Sequence, residues 1–361
     1  MPTPAYFQTE YYTCFMNDSQ FFSPTITNII VVYTNVIAVI TIFVAPIHFY
    51  IIFTQSSILK KFKWFLLNHS FWCFGFLLSC VVFKPVVLLH TASGFQVGML
   101  RHTSKECSIV GLLIVFGMAI MSIVGICMSL FYRYFGLFPG KIKYICHSFP
   151  MYIFFIALHL ILWITLIICA KMVIDIPQEV MIQQAIEVSP ELEPFTHEKT
   201  FLFISEEIYN IPAIIVLTII GCLTGMFLIL MYLLKKELGS FMRSELQKAL
   251  IISIIAQVAV TLFFEFCPFF YLFFSLKFKI PNAGPTMQIM ELLAFSYAFV
   301  DYCVTMYFVL PYRNYILKKL NTVKKMLKID FPKQNIAVIQ PGLSTVANIR
   351  ITGTSKYVVQ Y

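Results

Sequence analysis

The apolar residues of this chain run on in long unbroken stretches. They do not alternate in the manner of strands or confine themselves to one helical face. Seven stretches, 26–54, 64–90, 109–132, 150–174, 208–234, 249–274 and 287–311, are dominated by Ile, Leu, Val and Phe. Roughly twenty apolar residues at about 1.5 Å rise cross the hydrocarbon core of a bilayer, and every stretch exceeds that. Helices buried in a large soluble protein would carry charged outer faces, and these lack them. The pattern predicts an all-α membrane protein: a seven-helix transmembrane bundle over 26–311, a short tail at 1–25, and a polar tail at 312–361. Composition agrees, with 59% hydrophobic and only 12% charged residues and a mean hydropathy of +0.83.

Charge orients the bundle. If the N-terminus is outside, the inner segments and the C-terminal tail hold 19 of the 26 lysines and arginines, among them Arg133, Lys235 and Lys236. The outer segments hold Arg101, Lys105, Lys199, Lys277 and Lys279, while Lys84 and Lys171 fall within spans. The positive-inside rule therefore predicts an outer N-terminus and a cytoplasmic C-terminus. The net charge of +9 becomes a property of the inner face, suited to anionic lipid and a cytosolic partner. No basic stretch outside the spans is interleaved with aromatics, so nucleic acid is not expected as a partner.

Smaller features follow from that orientation. Asn17-Asp18-Ser19 is a glycosylation sequon in the outer tail, whereas Asn68-His69-Ser70, at the inner start of the second span, reads as accidental. The first 25 residues lack a basic region followed by an apolar one, so no cleavable signal is expected. Most of the ten cysteines lie in spans as small apolar residues. Cys146 falls at the cytoplasmic edge, and Cys14 and Cys107 alone are extracellular, which predicts a bridge from the tail to the top of the third span. No CxxC or His/Cys spacing suggests a metal site, and no cofactor is expected. The acidic stretch 175–207 reads as a solvated loop or as a lid over a cavity. After Pro311, Ile316, Leu320, Val323 and Leu327 recur at helical spacing among lysines, predicting a basic amphipathic helix along the inner membrane surface.

Charges within spans cost roughly 2.5–3.5 kcal/mol each near the bilayer centre, so each needs a reason. Lys84 falls in the outer part of the second span beside Pro85, and Glu265 in the outer half of the sixth. Ser253, Gln257, Thr261 and Glu265 follow one another at four-residue steps, as do Tyr297, Asp301 and Thr305 in the seventh. Such stripes should face the bundle interior. Lys84, Gln257, Thr261 and Glu265 are thereby candidate ligand-binding residues, with interior hydrogen bonding as the structural alternative. Prolines at Pro46, Pro85, Pro150, Pro212 and Pro268 permit kinks. There is no HExxH, Walker loop, GxSxG or paired intramembrane aspartate motif, so an enzyme is not expected.

Local motifs add a resemblance. Pro46-Ile47-His48 closes the first span. Lys61-Phe62-Lys63, Leu66-Leu67-Asn68 and Phe71-Trp72 enter the second, and Gly98-Met99-Leu100 precedes the third. Arg133-Tyr134 ends the third span, and Pro311-Tyr312-Arg313 closes the seventh. In this order and spacing, from about Cys14 to Arg313, the chain resembles the nematode serpentine chemoreceptors of class H (Srh), with the sister classes Sri and Str close by. It departs from the family where Phe131-Tyr132 replaces the Glu-Asn that precedes the arginine. The resemblance implies a G-protein-coupled chemosensory receptor in the plasma membrane of sensory neurons. A small molecule would bind the outer half of the bundle, and a heterotrimeric G protein would engage Arg133, Tyr134, Lys235 and Lys236. A ligand-gated channel subunit and a transporter are the rival readings. The basic asymmetry opposes the inverted topology of seven-helix channel receptors, and the missing internal repeat opposes a transporter.

Overall fold

A computed structural model describes residues 23–56, 62–89, 91–137, 149–210, isolated positions between 214 and 232, 245–280 and 283–326. Among these, six helices are long and apolar enough to cross a membrane. In chain order the elements are α1 (Pro24–Gln55), α2 (Phe62–Phe83), β1 (Pro85–Leu88), β2 (Ser93–Gln96), α3 (Lys105–Leu137) and α4 (Phe149–Ile174). There follow α5 (Gln178–Val188), a 3-10 helix (Pro190–His197) and β3 (Leu202–Phe203). Next come α6 (Glu245–Thr261), a π turn (Leu262–Phe266), α7 (Cys267–Phe278), α8 (Ala283–Phe308) and α9 (Leu310–Met326). The fifth predicted span falls largely outside the described residues, but its described positions are helical.

α1 shows how these helices are built. Thr34, Ala38, Thr41, Ala45 and His48 form a buried stripe at steps of three and four, and the opposite face exposes Val32, Val36, Val39 and Phe43. Small and polar residues face the bundle while large apolar ones face outward. That arrangement inverts a soluble helix and suits packing in lipid. α2 and α3 approach so closely that a Cβ on Gly125 would stand 2.9 Å from the His69 Cα, so only glycine fits there.

The second span ends earlier than the hydropathy pattern predicts. α2 stops at Phe83, because Pro85 has no N–H to continue the helix and Lys84 turns out of it at φ 42°. Lys84 is thus a junction residue rather than a helical one. The chain turns into an antiparallel hairpin, Pro85 opposite Gln96 and Leu88 opposite Ser93, and β3 adds to its other edge. Val97, Gly98 and Met99 donate their N–H groups to the carbonyls of Lys84, Phe83 and Val82, satisfying the end of α2. A Cβ on Gly98 would lie 2.2 Å from the Val82 oxygen, which explains the glycine.

The acidic stretch folds onto this sheet. Met181, Ala185, Leu192 and Phe195 pack with Val86, Leu88 and Phe95, while Glu179, Glu187, Glu191 and Glu193 stay exposed. Half-burial raises the Glu198 carboxyl above its usual range, and Arg101 stands 3.5 Å from it. Sheet, α5 and 3-10 helix together cap one end of the bundle. At the opposite end, α9 follows a break at Val309 and is held by Tyr312, whose hydroxyl lies 2.6 Å from Ser56 Oγ. Its Leu320 and Val323 are half-exposed among lysines.

Candidate functional site

Beneath the cap lies a cavity of about 170 Å³. Its floor and walls are Phe83 of α2, Ile109, Leu112, Val115 and Phe116 of α3, Ala170 and Val173 of α4, and Leu272, Phe273 and Leu276 of α7. Val86, Phe95, Gln96 and Ile204 close it from the cap. The few polar groups on the lining include Ser93, Gln96, Ser108 and the Tyr209 side chain. Gln96 donates through Nε2 to the Ser108 carbonyl at 3.2 Å, and Ser108 Oγ donates to the Thr200 carbonyl at 2.9 Å. The lining is therefore mostly apolar, with Gln96 Oε1 its one buried side-chain acceptor left without a partner among the described residues, a surface for apolar or amphipathic molecules of modest size.

About 10 Å further along the bundle, seven residues at helical rise from Leu272 to Glu265, the interior changes character. Ser253, Gln257, Thr261 and Glu265 are all buried, as are Tyr297, Asp301 and Thr305, so both stripes face inward as their spacing predicts. Gln257 Nε2 donates to Thr305 Oγ1 at 2.8 Å. The Thr261 and Tyr297 hydroxyls meet at 3.0 Å, and Tyr297 reaches His69 Nε2 at 3.4 Å. Ser122 of α3 donates a hydrogen bond to Glu265 Oε1.

Glu265 owes its position to a local irregularity. Pro268 cannot donate to the carbonyl four residues back, and the chain widens into a π turn in which the Cys267 N–H bonds the Leu262 carbonyl. Such bulges inside α-helices commonly mark functional positions. The turn carries Glu265 towards α3.

The cavity lining contains none of Lys84, Gln257, Thr261 and Glu265. The last three lie together in the polar chamber. Lys84 is not brought to Glu265; its ammonium donates to Asn35 Oδ1 of α1 at 2.8 Å. Arg133 and Tyr134 continue α3, although their side chains lie outside the described residues. Lys235, Lys236, Cys14 and Asn17 lie outside them entirely, and Cys107 is half-buried in the first turn of α3.

Two histidines gain weight. His48, read only as part of a motif, stacks on Tyr302 at 4.2 Å and meets Ser70 Oγ at 2.9 Å, while Tyr302 donates to the Ser70 carbonyl at 2.7 Å. This latch ties α1, α2 and α8. His69, which in the sequence stands out only as part of Asn68-His69-Ser70, lies at the centre of the chamber, 3.4 Å from Asp301. A lone histidine among Phe and Leu was the available signal.

A family model described as serpentine type 7TM GPCR chemoreceptor Srh matches residues 27–322. The chain belongs to the Srh chemoreceptor family. The match runs from the first turn of α1 through the other described transmembrane helices and most of α9, so this Srh member is an integral membrane protein of a seven-transmembrane receptor family. Srh proteins are chemoreceptors, not a family of enzymes. No curated protein and no solved structure matches the chain.

Proposed function

We propose that this protein is a chemosensory G-protein-coupled receptor whose ligand is a small apolar or amphipathic molecule bound in the capped cavity. The observation that carries this reading is the cavity itself: an apolar space walled by α2, α3, α4 and α7 and roofed by the β1–β2–β3 sheet. In this reading the capped end faces outside, in keeping with the concentration of Lys and Arg in the opposite segments. Asn17 is glycosylated there, and Cys14 bridges to Cys107. The cytoplasmic end offers Arg133, Tyr134, Lys235 and Lys236 to a heterotrimeric G protein, with α9 along anionic lipid.

Gln257, Thr261 and Glu265 then serve as the switch that a ligand biases, lying one layer below the bound molecule. Occupancy of the cavity displaces α7 and α3 side chains, and the π turn passes that displacement to the Glu265–Ser122 contact. A ligand acts only through its different affinity for the two packings. Lys84 holds the outer end of α2 to α1.

The test is a panel of small apolar compounds applied to cells expressing the chain with G-protein dissociation sensors. Compound-dependent G-protein dissociation is expected. Currents that persist with G proteins blocked would instead show a channel.

A further inference from the structure

We propose that His69, Cys73 and Asp301 form a binding site for a divalent late transition metal ion of the Zn2+ class, joining α2 to α8. His69 and Cys73 stand four residues apart on one face of α2, a His/Cys spacing the apolar sequence conceals, and Asp301 comes from α8. Ligand atoms of the three lie within 4.8 Å of one another. His69 Nε2 is 3.4 Å from Asp301 Oδ2 and 3.5 Å from Cys73 Sγ. Bonds of about 2.0–2.3 Å in a tetrahedral site place neighbouring ligand atoms roughly 3.5 Å apart, which these spacings match.

Three observations favour a metal over a bare ion pair. His69 Nδ1 lies 3.0 Å from the Ser122 carbonyl, which can only accept, so that nitrogen carries a hydrogen. A ligating histidine uses its second nitrogen in this way to fix its tautomer. The Nε2–Oδ2 distance of 3.4 Å exceeds the roughly 2.7–2.9 Å of a charge-assisted hydrogen bond. Both Asp301 oxygens are fully buried without a hydrogen-bond partner, as are Glu265 Oε2 and Gln257 Oε1 in the same chamber. The chamber therefore holds buried oxygens that the surrounding side chains do not satisfy, and a cation beside Asp301 would satisfy its two. A nitrogen, a sulfur and a carboxylate oxygen together suit Zn2+ better than Na+, Mg2+ or Ca2+. On binding, the Cys73 thiol proton leaves to solvent and the thiolate ligates. The ion would pin α2 to α8 and favour the packing in which they meet.

The experiment uses the full chain in lipid nanodiscs, stripped with chelator and titrated with Co2+ under anaerobic conditions. One equivalent should produce a near-ultraviolet thiolate-to-cobalt band that Zn2+ displaces. Cys73→Ser should abolish the band, Cys80→Ser should leave it, and Asp301→Asn should weaken binding more than about a hundredfold, beyond the roughly 10–100-fold loss typical of a supporting partner alone. Bound Zn2+ should also protect the Cys73 peptide of the wild-type chain from alkylation during partial unfolding, a reading that needs no variant. No thiolate band in the wild type, a band that survives Cys73→Ser, or Cys73 alkylation indifferent to Zn2+ would each overturn the site.

Discussion

The Thr261 hydroxyl of α6 lies 3.0 Å from the Tyr297 hydroxyl of α8, in an interior where neither residue keeps appreciable exposure. Through Tyr297 the contact reaches His69 of α2, and just beyond α6, in the π turn, Glu265 reaches Ser122 of α3. Four helices therefore meet through one set of polar side chains, which makes their relative packing sensitive to each member.

Ser122→Ala should destabilise the protein by about 1–3 kcal/mol, because it leaves a second buried Glu265 oxygen without a donor. Glu265 Oε2 already lacks one. Glu265→Gln should cost less, since its carbonyl oxygen can still accept from Ser122. Thermal unfolding of the purified chain in nanodiscs checks the order; equal losses would show that the Ser122 bond adds nothing.

Gly125→Ala should lower the unfolding midpoint and the amount reaching the cell surface. The added Cβ would meet the His69 backbone at 2.9 Å, and overpacking of this kind costs about 1–3 kcal/mol. Gly221, which has open space around its Cβ direction, should accept alanine without loss. A matched pair of surface-expression measurements reads the difference.

Much of this architecture is legible in the sequence, and the failures have physical causes. The long spans announce themselves because lipid requires unbroken apolar runs. The end of α2 does not, because Pro85-Val86-Val87-Leu88 is as apolar as a helix end, and only Pro85 and the β-branched pair hint at a strand. The stripes at Gln257, Thr261, Glu265 and at Tyr297, Asp301, Thr305 follow from their spacing. Their joining through His69 does not, since His69 and Asp301 are 232 positions apart in the chain. Nor could spacing show that the cavity sits nearer the cap than the charges do. That arrangement depends on apolar residues of 175–207, such as Met181 and Phe195, folding inward from among the acids.

Tags at the two termini should report opposite sides of the membrane, the N-terminal tag labelled on intact cells and the C-terminal tag only after permeabilisation. Loss of the Asn17 glycan in Asn17→Gln, read as a mobility shift, checks the same orientation independently. A C-terminal tag labelled on intact cells would remove the inner face proposed for the G protein.

The most direct test of cavity binding is the dose–response of Ala170→Phe against the wild type, with surface levels matched and G-protein dissociation as the readout. Ala170 lines the cavity from α4, and a phenyl ring there occupies the space proposed for the ligand. A ligand seated in that space should lose potency at least tenfold, equivalent to about 1.4 kcal/mol, while Glu265→Gln changes maximal response more than potency. Unchanged potency in Ala170→Phe would contradict binding in the capped cavity.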